Sequence, residues 1–237
     1  VIFGEEMIKA TREHRARVSY VSQEQRLYKG MTVREIAEFY RGLYPRWDQE
    51  YAMRLMETFG LPPDRFAGDL SGGEQRKAAI LLALAARTDL IIMDEPAAGL
   101  DPIARRTLID ELIGALADGD GRTVVFSTHI LSDLERIATH VGFLHQGRMM
   151  TEGPLEELQQ GYRRVQVIFP DAVPDAFKLP GVIRQEQEGP VVRGVVRILS
   201  ETQLDDVRNR HHARVDTFPL GLEDLCIELL GKQEVEE

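Results

Sequence analysis

Apolar positions recur along the first 150 residues in two periods, and the switches between those periods mark out the elements. Val18-Ser19-Tyr20-Val21 is a short β-prone run. Thr32 stands three residues before Glu35, a capping-box pattern. Ile36, Phe39, Tyr40 and Leu43 then follow at helical spacing, which predicts a helix from Val33 to Leu43 with these four on one face. Tyr44-Pro45-Arg46-Trp47-Asp48 interrupts it, and Asp48 is placed to cap a second helix ending near Gly60. Leu61-Pro62-Pro63-Asp64 reads as a loop. Ser71 and Glu74 repeat the capping box and predict a helix to about Arg87. Leu90-Ile91-Ile92-Met93 is a continuous apolar run, the pattern of strands buried on both faces. Asp101-Pro102 pairs an N-cap residue with proline at the first helical position, opening a helix to about Ala117. A turn at Asp118-Gly119-Asp120-Gly121 leads to a strand from Thr123 to Ser127. Ser132 and Glu135 are placed to cap a short helix, and strands at Val141 to Leu144 and Arg148 to Thr151 flank Gln146-Gly147.

Strands alternating with helices from 71 to 145 predict an α/β domain with a largely parallel sheet. Past Gly161 the texture changes. Val165 to Phe169 and Val191 to Leu199 read as alternating strands, Thr202 to Asn209 and Leu222 to Leu230 as helices, and Glu234 to Glu237 as a frayed tail. This second region predicts a small α+β appendage.

Composition narrows the field. The 237 residues are 43% hydrophobic and 29% charged, an ordinary globular balance. A net charge of −10 argues against a broad nucleic-acid surface, which needs basic residues to neutralise phosphates. The one cysteine, Cys226, excludes an intrachain disulfide and points to a reducing compartment. The longest strongly apolar run, Ala78 to Ala86, falls short of the roughly 20 residues that a membrane-spanning helix needs.

Four places carry candidate chemistry. Asp94 and Glu95 end an apolar strand, where one carboxylate can hold Mg²⁺ and the next can orient or deprotonate a water. Solvated acids at a strand end have the same pattern. Ser71-Gly72-Gly73-Glu74 opens a helix, whose unpaired N–H groups and dipole favour a phosphate, and the glycines allow its close approach. A plain capping box has the same spelling. His129 follows a buried strand and can contact a terminal phosphate or position a water, or be structural. Gln23 follows the first strand with an amide that can reach a metal or water.

In the order Gln23, Ser71-Gly72-Gly73, Asp94-Glu95, Ala98-Gly99-Leu100-Asp101 and His129, these residues resemble the nucleotide-binding domain of ABC-type ATPases over roughly residues 1 to 155. The matching parts are the glutamine loop, signature motif, Walker B strand with its glutamate, D-loop and switch histidine. The resemblance implies a P-loop-NTPase-like α/β core, with an ATPase domain over 1–158, a helical subdomain over about 24–88, and an α+β appendage over 159–237. It implies ATP and Mg²⁺ as substrate and cofactor. Asp94 would hold Mg²⁺ with Gln23 nearby, and Glu95 would act as the base. His129 would touch the γ-phosphate. Ser71, Gly72 and Gly73, with Glu74, would engage ATP held by the opposite member of a head-to-tail homodimer or heterodimer, and Asp101 would sit at that interface.

One part of the pattern is missing. Gly-x-x-x-x-Gly-Lys-Ser/Thr, the loop that cradles phosphates, does not occur; the only Gly-Lys is Gly231-Lys232, followed by Gln233. In the family this loop lies upstream of the glutamine loop. The expectation is therefore a chain truncated at its N-terminus, unable to hydrolyse ATP alone although its full-length parent does. Ala97 and Ala98 also stand where threonine and serine are frequent.

Tyr44-Pro45-Arg46-Trp47-Asp48 and Ser127 to Glu135 resemble the ATP-binding subunits of bacterial ABC-2-type exporters. That implies an integral membrane subunit as partner and a place at the inner face of the cell membrane, with no nucleic acid bound. The segment from Gln23 to Trp47, with Phe39, Tyr40 and Trp47, would offer the membrane subunit an apolar groove; these aromatics also fit a helical core. A soluble ABC ATPase of translation or repair, or a degenerate domain completing a partner's ATP site, are the competing classes.

Overall fold

The structure, a computed structural model, describes residues 1–6, 8–24, 26–117, 121–197 and 201–230. The expected turn at Asp118 to Asp120, the last two residues of the strand drawn to Leu199 and the tail from Glu234 lie outside the described residues. The chain forms two units, Val1–Ile130 and Leu131–Glu237.

The first unit runs α1 (Arg12–Arg15), β1 (Val18–Val21), α2 (Val33–Leu43), α3 (Gln49–Thr58), a 3₁₀ turn (Ala67–Asp69), α4 (Gly72–Ala85), β2 (Leu90–Asp94), α5 (Pro102–Ala117) and β3 (Thr123–Ser127). The three strands are parallel in the order β1-β2-β3, with Val21 beside Met93 and Asp94 beside Ser127. All three therefore end at one edge, where an open parallel sheet places its ligands.

Both capping boxes form. Thr32 and Glu35 close the start of α2, and Ser71 and Glu74 the start of α4, each pair exchanging side-chain and backbone bonds. Helix α4 carries an unbroken buried run from Ile80 to Ala85, because it packs against α2, α3, α5 and β1 together. A helix apolar all round has to be enclosed in this way. The buried hydroxyl of Ser19 lies 2.9 Å from Thr88 Oγ1 and 3.1 Å from the Ala83 carbonyl, so the core here has no orphaned polar atom.

Two expectations change. On α2 the buried face is Val33, Ile36 and Ala37, while Phe39 is 41% exposed and Leu43 similarly so. The stripe that meets α4 lies beside the aromatic one. The apolar run of β2 is also not covered on both faces. Ile91 and Met93 are buried, but the row Tyr20, Ile92 and Val125 runs along the other face, with Tyr20 61% and Val125 53% exposed.

Asp48 caps α3 through the Tyr51 amide at 2.9 Å and accepts from Arg87 at 3.0 and 2.8 Å. Burial pushes its carboxyl up, but the Tyr51 N–H and the Arg87 guanidinium outweigh that and hold it below the usual carboxylate range. A depressed carboxyl stabilises fully above its unfolded value, about 4, and loses that contribution as pH falls through the folded one. Asparagine would keep the cap but lose the charged pairing with Arg87, so Asp48→Asn is expected to lower stability at pH 7 by about 1 kcal/mol, with the deficit shrinking toward pH 3. Melting midpoints of both proteins across that range check it; an equal deficit at pH 7 and pH 3 would count against the linkage.

The second unit contains α6 (Leu131–Ile137), β4 (His140–His145), β5 (Arg148–Pro154), α7 (Leu155–Gln160), β6 (Tyr162–Ile168), β7 (Val182–Glu188), β8 (Val191–Arg197), α8 (Glu201–His211), β9 (Arg214–Pro219) and α9 (Leu222–Leu230). Strands β4 and β5 pair as a hairpin whose turn residues Gln146 and Gly147 both have positive φ, 46° and 75°. That conformation matches the twist of the flanking strands. The other four strands form an antiparallel sheet in the order β7-β8-β6-β9. Val141, Phe143, Leu158, Leu222 and Leu225 share one cluster, which ties the β4–β5 hairpin to α9. The division by contacts thus falls at 130/131, earlier than a boundary at 158/159. Ser132 and Glu135 do not close α6 as a capping box: the helix starts at Leu131, and the Glu135 carboxylate accepts from the Leu222 amide at 2.9 Å, capping α9 instead.

Candidate functional site

The carboxyl edge of the parallel sheet gathers the chemistry. Register alone sets Asp94 beside Ser127, and Ser127 Oγ donates to Asp94 Oδ1 at 2.6 Å. The Glu95 amide donates to Ser127 Oγ at 3.0 Å and to the Ser127 carbonyl at 3.2 Å. Glu95 takes a left-handed backbone, φ 47°, which turns its side chain away from the line of β2. Its carboxylate, 18% exposed, lies 2.9 Å from Nδ1 of His129, whose ring is 73% exposed. Strained backbone at a ligand edge is where function is sought.

Gln23 stands two residues beyond the end of β1 and is exposed. Its carbonyl and that of Glu95 both accept from one side chain, Arg76 of α4, at 2.7 and 2.6 Å. No local sequence pattern flags Arg76, which has the look of an ordinary polar position after a capping box. Ser127 carries no chemical role in the sequence pattern, where it ends a strand and opens the Ser127 to Glu135 stretch.

The N-terminus of α4 forms the second half of the site. Ser71 caps it, and the Ser71 hydroxyl and amide both donate to Glu74 Oε2 at 2.8 Å. Those bonds, the amide first, hold the Glu74 carboxyl below its usual range, with Arg65 at 3.1 Å on the other oxygen. Glu74 is thus the cap's carboxylate, and the Ser71 hydroxyl is engaged inside the box. Beside it a cavity of about 390 Å³ is lined by Gly72, Gly73, Gln75, Arg76, Ala98 and Gly99. A Cβ on Gly73 would stand 3.4 Å from the Gly99 carbonyl, an ordinary contact, so this approach alone does not demand glycine. Asp101 caps α5 through the Ala104 amide at 2.9 Å and pairs with Lys77 at 3.2 Å, which together lower its carboxyl's pKa.

The structure therefore brings Asp94, Glu95, His129 and Gln23 to one edge, and Ser71, Gly72, Gly73 and Glu74 to the helix beside it. Asp101 is fixed by its own cap and by α4. A carboxylate at Asp94 and an amide oxygen at Gln23 are hard donors of the kind Mg²⁺ takes, usually with substrate phosphates and waters completing its shell. The donor chemistry fits that ion.

A separate surface lies on α2 and its flanks. Tyr28 meets Phe39 edge-on at 5.6 Å, Phe39 meets Tyr40 at 6.2 Å, and Tyr40 stacks on Tyr44 at 5.9 Å. Burial raises the pKa of Tyr40 and of Tyr44, whereas Tyr28 and Phe39 stay exposed. Trp47 is half-buried and donates to Gln49 Oε1 at 2.8 Å. Among the described residues, no helix is long and apolar enough to cross a membrane.

Comparison with known proteins places this geometry in context. A family model described as ABC transporter matches residues 1–98. The Nod factor export ATP-binding protein I of Paraburkholderia xenovorans (strain LB400) is 30% identical over 239 residues, covering 97% of this chain and 78% of that protein. The molybdenum import ATP-binding protein ModC of Paramagnetospirillum magneticum (strain ATCC 700264 / AMB-1) is 34% identical over 145 residues, 60% of this chain and 40% of that protein. A solved structure described as the ATP binding subunit of an ABC transporter superposes with a TM-score of 0.60 at 27% identity, covering 66% of this chain and 67% of that one.

Proposed function

The chain belongs to the ABC transporter ATP-binding proteins, and from that premise we propose how its residues divide the work of ATP hydrolysis in a transporter. The observation that carries the reading is the joint placement of Glu95 against His129 at 2.9 Å and of Asp94 against Ser127 at 2.6 Å, on one edge of a parallel sheet. The reading treats residues 1–158 as the ATPase domain, with its helical subdomain over about 24–88, and 159–237 as an appendage.

Glu95 takes a proton from the attacking water as the water oxygen bonds to the γ-phosphorus and the bond to ADP breaks, giving ADP and phosphate. His129 Nδ1 is engaged by Glu95, so contact with the γ-phosphate falls to Nε2. Asp94 would hold Mg²⁺, with Gln23 as a further oxygen donor, and the ion would supply positive charge to the phosphates. Ser127 fixes the orientation of Asp94 and the turn into Glu95. The α4 N-terminus and the Gly72–Gly73 cavity receive the γ-phosphate of ATP held by the opposite member of a head-to-tail pair, with Asp101 at that interface.

The membrane subunit docks on the exposed aromatic row of Tyr28 and Phe39, at the cytoplasmic face. Exposed aromatics flanked by polar residues are the usual anchors of an interface. Transport runs outward; the export relative aligns over nearly the whole chain, whereas the import relative aligns over 60% of it.

Vesicles reconstituted with the assembled transporter test this. Mg-ATP supplied on the side bearing this chain should move substrate away from that side, and movement toward it would overturn export. Phe39→Glu is expected to lower transport roughly tenfold or more by weakening subunit association, since an interface anchor is worth about 2 kcal/mol. Full association and transport by that variant would remove the aromatic row from the reading.

A further inference from the structure

Arg76 joins parts of the site that the sequence keeps far apart. It sits one turn into α4, on the wall of the cavity that Gly72, Gly73, Ala98 and Gly99 also line. Its guanidinium donates to the Gln23 carbonyl at 2.7 Å and to the Glu95 carbonyl at 2.6 Å. One planar, permanently charged fork thus holds the loop after β1, the turn after β2 and the helix between them. Charge-assisted bonds of this length are the strong ones, and both acceptors are backbone atoms, so side-chain changes at Gln23 or Glu95 leave the tie in place.

We propose that Arg76 is a positioning residue for ATP hydrolysis. It ties the Gln23 loop and the Glu95 turn to the helix whose N-terminus meets the partner's γ-phosphate, so that a phosphate in the Gly72–Gly73 cavity bears on the Glu95 carboxylate of the same chain. The inference rests on the reading above, in which those residues flank two ATP sites. The cavity and the general base belong to different nucleotides, and Arg76 is in contact with both: it lines one and hydrogen-bonds the backbone of the other. A shift of α4 toward or away from a phosphate moves Arg76, and Arg76 moves Glu95.

The test uses the assembled transporter with Arg76→Gln and Arg76→Lys, measuring steady-state ATP turnover and amide exchange. Arg76→Gln should lower kcat roughly 10- to 100-fold, with a smaller rise in KM, because two charged hydrogen bonds to backbone are lost and a positive charge leaves the wall of the phosphate cavity. Amide exchange should quicken in the segments 20–24 and 95–98 together, while residues 78–85 of α4 keep their protection. Arg76→Lys should recover part of both effects, since an ammonium keeps the charge without the fork. Wild-type exchange in either segment would overturn the tie. So would exchange quickened along all of α4, which would make Arg76 a residue of helix stability alone. Loosened segments with wild-type kcat would overturn the role in hydrolysis. Glu95→Gln run alongside separates the two claims: undiminished turnover there sinks the assignment of the base, whereas the tie made by Arg76 stands or falls on exchange.

Discussion

Purified on its own, the 237-residue polypeptide is expected to turn over no Mg-ATP. In the proposed division of work, the residues on its sheet edge act on a phosphate that a loop outside these 237 residues holds. Glu95 and His129 form a pair at 2.9 Å, and Asp94 is oriented by Ser127, but no Gly-x-x-x-x-Gly-Lys-Ser/Thr lies within these residues to supply the amide cradle and its lysine. Charge-assisted hydrogen bonds are worth about 1.5–3 kcal/mol each. Several missing together weaken binding by many powers of ten, at roughly 1.4 kcal/mol per decade. The Gly72–Gly73 cavity does not replace them, because a helix N-terminus carries only about half a charge. Phosphate release at saturating Mg-ATP, with Glu95→Gln as the blank, is the measurement. Release above that blank by the polypeptide alone would overturn the prediction. Turnover that appears only when a phosphate-loop-bearing segment or subunit is added would support it.

Much of this was legible in the sequence, for identifiable reasons. Ser71 and Glu74 announce a helix start because a capping box satisfies orphan amides locally, without help from the rest of the fold. Asp48 and Asp101 are legible for the same reason, and both cap as read. Asp94 and Glu95 stand out because an apolar strand run ends abruptly in two acids. What stayed hidden depends on partners distant in the chain. The bonds of Arg76 reach residues 53 and 19 positions away. Glu135 was read with Ser132 as a local cap, but its partner is Leu222, 87 positions on. Strand β9 pairs with the distant β6, whereas β7 pairs with its neighbour β8 across Gly189-Pro190; both are outer strands, which carry fewer apolar positions to betray them. Phe39 and Leu43 share a helical stripe with Ile36 in the sequence, yet periodicity cannot say which of two adjoining stripes meets α4.

The same edge geometry sets the largest effect of a single substitution. Glu95→Gln is expected to cut ATP turnover of the assembled transporter by about 10²- to 10⁴-fold, the usual worth of a general base. The change is nearly isosteric, so the Glu95 backbone keeps its bonds to Ser127 and Arg76, and the loss isolates the carboxylate's proton-accepting role. An amide can still hydrogen-bond His129, which predicts that nucleotide binding survives. The kinetic signature is a fall in kcat with little change in KM. Asp94→Asn should differ. Asp94 accepts from Ser127 and is the proposed Mg²⁺ holder, so its loss should weaken Mg-ATP binding as well as turnover. Measuring both variants against Mg²⁺ concentration separates the roles. Rising Mg²⁺ should rescue part of the Asp94→Asn deficit and none of the Glu95→Gln deficit, because added cation cannot replace a missing base. Equal rescue of both would mean that the two carboxylates share one task, and the division argued from their different partners, Ser127 and His129, would fall.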